Sequence, residues 1–68
     1  MRHESFYGEY LKSCPNEGMN DVWNRVKALL ATVLENKQAR VISVSECTVD
    51  IDSFGKGGFR VDLIWVEG

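Results

Sequence analysis

The stretch RVISVSECTVDIDSFGKGGFRVDLIWVE, Arg40 to Glu67, decides the fold. Two runs rich in β-branched and aromatic residues flank Ser53-Phe54-Gly55-Lys56-Gly57-Gly58, the signature of a β-hairpin. Side chains alternate across a strand, so parity assigns faces. In the second run Phe59, Val61, Leu63 and Trp65 make an apolar row, and in the first run Val41, Ser43, Ser45, Cys47, Val49 and Ile51 make an uncharged one. These two rows are expected to share the core face. The other face is charged near the turn and apolar away from it, where Ile42, Val44, Ile64 and Val66 are expected to form one patch. Pairing Asp50 with Arg60, Thr48 with Asp62 and Val44 with Val66 keeps the rows aligned and sets opposite charges face to face across a loop from Ser53 to Gly57.

Working outward, residues 20 to 36 read as an amphipathic helix. Asn20 is placed to cap it, and Val22, Trp23, Val26, Leu29, Leu30, Val33 and Leu34 recur on one face. Asn36 is expected to end it in the left-handed conformation, with Lys37 near its negative end. Pro15 and Gly18 mark the preceding segment as a connection. Further out, Phe6, Tyr7, Tyr10 and Leu11 have the spacing of a helical stripe capped by Ser5. A short helix over residues 4 to 13 is the expectation, and a third strand beside the hairpin is its alternative. The fold class is α+β, one long amphipathic helix packed on an antiparallel hairpin, in a single domain over 1-68.

Size and charge bound the function. The chain has 68 residues, and a chain that short buries a small share of its surface. Its formal net charge of -2 gives no electrostatic drive toward nucleic acid or an anionic membrane. No apolar run follows Met1-Arg2-His3-Glu4, so no signal peptide is read there, and no stretch approaches a membrane span. Cys14 and Cys47 fit no paired motif and are read as reduced thiols of a cytoplasmic protein.

Candidate chemistry fails on spacing. Asp50-Ile51-Asp52-Ser53-Phe54-Gly55 opens like a calcium loop, but Phe54 and Val61 occupy its fifth and twelfth positions, where oxygen ligands are required. Gly55-Lys56-Gly57-Gly58 lacks the Ser or Thr after lysine and the following helix of a phosphate loop. Glu46, Asp50, Asp52 and Asp62 around Arg60 read as a solvated, charge-paired face. His3 is the only histidine and leaves no basis for a Cys-His or Ser-His arrangement. No metal, cofactor or catalytic constellation is expected.

The outward apolar patch of Ile42, Val44, Ile64 and Val66 therefore directs the functional expectation: a non-enzymatic binding or adaptor protein that works as a homo-oligomer. A small-ligand carrier that stacks a flat aromatic cofactor on Trp65 or Tyr10 is the alternative. A protein-neutralising partner of the antitoxin or immunity type is a third reading. The plan of a helix on a long antiparallel ribbon resembles that of small oligomeric flavin-binding proteins, in shape and without a shared motif.

Overall fold

A computed structural model describes residues 1–50 and 52–68. The elements run β1 (Arg2–Leu11), α1 (Pro15–Glu35), β2 (Arg40–Val49) and β3 (Lys56–Val66), with sheet order β1-β3-β2. Both neighbours pair antiparallel with β3, so the α+β class holds. The N-terminal segment is the third strand, not a short helix. Its apolar residues alternate: Phe6 and Tyr10 stand opposite Val61 and Gly57 on the helix side, with Gly8 opposite Phe59 between them. The helical spacing of Phe6, Tyr7, Tyr10 and Leu11 arises because a glycine occupies the middle core-facing position. A side chain at Gly8 would collide with the buried Val22.

The central strand β3 carries the core. Phe59, Val61, Leu63 and Trp65 are all buried, and the residues between them are half-buried. Val22, Val26 and Val33 of α1 pack on that row in two clusters, joined by Phe6 and Leu30. Burying an aliphatic side chain contributes roughly 1.5–3 kcal/mol, so this row is the main stabilising feature of the chain.

The helix begins five residues before Asn20. Pro15 starts it, since its fixed φ suits the first helical position and its missing N–H is one of the unpaired donors there anyway. No side chain caps this end. Gly18, taken from sequence as punctuation, lies inside the helix because its backbone packs on the carbonyl of Glu9. At the other end Asn36 is extended (φ −84°, ψ 109°), not left-handed, and its N–H bonds the Val33 carbonyl at 3.1 Å.

The hairpin register differs from the expected one. Ser45 stands opposite Asp62, Cys47 opposite Arg60 and Val49 opposite Gly58. A bulge at Ile42, between Val41 and Ser43, restores Val41 to the helix side opposite Trp65. From Ser43 onward the odd row of β2 therefore lies on the open face, and Val44, Glu46 and Thr48 take the helix side. Asp52 Oδ1 accepts from the N–H groups of Phe54 (2.8 Å) and Lys56 (3.0 Å), and Gly55, at φ +79°, closes a loop shorter than Ser53–Gly57. Ile51, expected on the core row, lies outside the described residues. The core does without the odd row of β2 because β1 supplies the second flank of β3.

Candidate functional site

The helix covers β1 and β3 and leaves β2 from Val44 onward uncovered. Every β2 residue from Val44 to Val49 is exposed. The two sheet edges differ accordingly. Along β1, Gly18 sits on the Glu9 backbone, and Arg25, held by Asp21 at 3.3 Å, donates from Nη2 to the Tyr7 carbonyl. The helix thus occupies backbone acceptors of β1. Among the described residues nothing comparable reaches the β2 backbone. Between Val41 and Val49 it carries one charge, Glu46, and no proline or glycine, so it lacks the usual devices that blunt an edge apart from the bulge at one end.

The expected patch of Ile42, Val44, Ile64 and Val66 is divided by this register. Ile64 and Val66 are half-buried on the open face, Val44 is exposed on the helix side, and Ile42 is exposed at the bulge. Val44 is 41% exposed on the helix side of the sheet, and Leu34 of α1 is 62% exposed. A groove of about 330 Å³ is lined by Tyr10, Met19, Glu46, Cys47, Thr48 and Phe59.

The two candidate stacking residues are far apart. Tyr10 stands opposite Gly57 and Trp65 opposite Arg2, eight positions along β3, or roughly 27 Å. Trp65 is buried in the second core cluster, and its Nε1 donates to Glu67 at 3.2 Å. Within one chain no single ligand spans both.

The open face holds a polar cluster that sequence spacing did not single out. Ser5 Oγ donates to Asp62 Oδ1 at 2.6 Å, and His3 Nε2 lies 3.1 Å from the same oxygen. Strand pairing sets His3 and Ser5 opposite Ile64 and Asp62, and alternation brings all three polar groups to one face. Arg60 Nε is 3.0 Å from Asp62 Oδ2, close enough for charge attraction, but its N–H does not point at that oxygen and has no acceptor. The hydroxyl of Ser5 and then His3 hold the Asp62 carboxyl below its ordinary value against desolvation, with a lesser pull from the Arg60 charge. Asp62 in turn raises Arg60. This geometry does not make a nucleophile. The Ser5 proton is directed to the carboxylate, while a serine nucleophile needs a base that takes its proton and is itself oriented by the acid.

Among the described residues, only Asp62 of the expected acidic cluster pairs with Arg60. Glu46 lies on the helix side, and Asp52 is committed to the turn. Among the described residues no group of side chains is arranged to hold a metal ion, and no helix is long and apolar enough to cross a membrane. Cys14 and Cys47 are exposed free thiols. No family model, characterised protein or solved structure matches the chain.

Proposed function

We propose that this chain is a non-enzymatic binding or adaptor protein whose working form is a homo-oligomer. One observation carries the reading: the single chain exposes too much surface. Its accessible area is 4941 Å², whereas a folded chain of 7.7 kDa is expected to expose about 4,300 Å². The excess is about 600 Å², close to the ~800 Å² that each partner contributes to a standard stable interface. The radius of gyration agrees. It is 13.8 Å, against about 11 Å for a compact chain of this length. Three of the exposed large apolar side chains, Ile42, Val44 and Val49, belong to β2, and Met1, Tyr7, Leu34 and Phe54 lie elsewhere.

The polar cluster around Asp62 fits a scaffold role, tying β1 to β3 on the face the helix leaves open. Sedimentation velocity at micromolar protomer tests the reading. A sharp species at a multiple of the 7.7 kDa chain mass is expected, and a monodisperse monomer refutes it.

A further inference from the structure

We infer that β2 is the pairing edge, and that it takes the β2 strand of a second copy, antiparallel, about a two-fold axis at Ser45. This rests on the homo-oligomer reading above and names its interface. The result is a continuous six-stranded sheet with both helices on one face.

Three features select the occupant and the register. First, β2 is the edge the helix leaves free, whereas β1 is engaged by Gly18 and Arg25. Second, the strand ends are oppositely charged. Arg40 opens β2 and Asp50 follows it. Antiparallel pairing brings each Arg40 to the end that carries the partner's Asp50, and parallel pairing would bring like charges together. Third, Glu46 excludes the axis that the straight run Ser43–Val49 would otherwise choose, because an axis at Glu46 sets two carboxylates face to face. Moving the axis to Cys47 places Val44 beside the partner's Asp50 and carries Arg40 away from it. Moving it to Ser45 sets Val44 opposite the partner's Glu46, Ser43 opposite the partner's Cys47, and keeps the end charges together. Paired residues point to the same face, so the two exposed Val44 side chains join the floor of one trough between the two helices.

Disulfide trapping tests this. Directly paired residues have Cα atoms roughly 4.5–5.5 Å apart, within the range a disulfide spans. In a Cys14→Ser, Cys47→Ser background, Ser45→Cys is expected to give a covalent dimer as nearly the whole population under mild oxidation. With Cys14→Ser alone, Cys47 is expected to stay unlinked, since the two copies of Cys47 lie about 14 Å apart in this register. Ala31→Cys, on the exposed outer side of the helix, controls for collisional linkage and is also expected to stay unlinked. Ser43→Cys with native Cys47 retained is an independent readout of the same register and is expected to give two links per dimer. Linkage through Cys47 in place of Ser45→Cys overturns the inference. An oligomer that neither Ser45→Cys nor Ser43→Cys links overturns it and leaves the homo-oligomer reading standing. A monomeric parent chain refutes both.

Discussion

Replacing Gly18 by alanine tests the contact on which the helix is seated. A Cβ at this position would fall inside van der Waals contact of the Glu9 carbonyl oxygen and 3.1 Å from its carbonyl carbon. Both obstructing atoms are backbone, held in a strand paired along its length to β3, so relief requires the start of α1 to lift from β1. Val22, buried one turn further on, moves with it. Forced overpacking of this kind costs about 1–3 kcal/mol, and a rigid backbone obstacle belongs at the upper end. Alanine in place of glycine returns about 1 kcal/mol of helix propensity. The net loss is therefore about 2 kcal/mol, a large part of the roughly 3–10 kcal/mol expected for a chain of this length. With a urea slope of about 1 kcal/mol/M for a protein this small, the midpoint should fall by about 2 M. The assay is far-ultraviolet circular dichroism in urea at fixed protomer concentration, because assembly couples to stability. A midpoint equal to or above that of the parent refutes the close seating, since a glycine in an ordinary helical position gains stability on this change.

Leu63→Ala, at a fully buried position in the central strand, is expected to cost about 2–5 kcal/mol and to leave little folded protein in a thermal melt. Asp62→Asn tests the polar cluster through pH. The folded value of Asp62 lies below its ordinary 3.8, so its contribution is present above about pH 4 and is lost as pH falls through the lower folded value. Melting temperature plotted against pH should therefore fall less steeply below pH 4 in the variant than in the parent, and identical slopes would show that Asp62 contributes nothing. Val44→Glu sets a carboxylate opposite the partner's Glu46 at two places in the pairing, where it should lower the assembled fraction at a given concentration while the circular dichroism spectrum stays that of the parent. An unchanged assembled fraction would remove the β2 trough from the interface.

How much of this was legible depends on which residues carried a single signal. The alternation of Phe59, Val61, Leu63 and Trp65 has one reading, and those four are buried in the central strand. The helix was equally plain at Val22, Val26 and Val33, but its first turns were not. Gly18 signals a break locally, and only the approach of Glu9 explains a glycine inside a helix. Gly8 misled in the same way. It leaves a gap in the apolar row of β1 that Val22 fills from the helix, so the remaining aromatics mimic a helical stripe. Parity failed on β2 because its register is offset by one residue from Ser43 to Val49, and the bulge at Ile42 where that offset ends leaves no mark in a row of uncharged side chains. The cluster of His3, Ser5, Asp62 and Arg60 was hidden for a different reason. Its members are distant in sequence, and only the pairing of β1 with β3 unites them.

Molecular mass in solution bears most directly on the claim that a sheet with one bare strand requires a second copy. Sedimentation equilibrium of the unmodified chain across the micromolar range should give a mass of at least two chains of 7.7 kDa, dissociating on dilution to a species of lower melting temperature. A mass of one chain throughout, with a melting temperature independent of concentration, contradicts it.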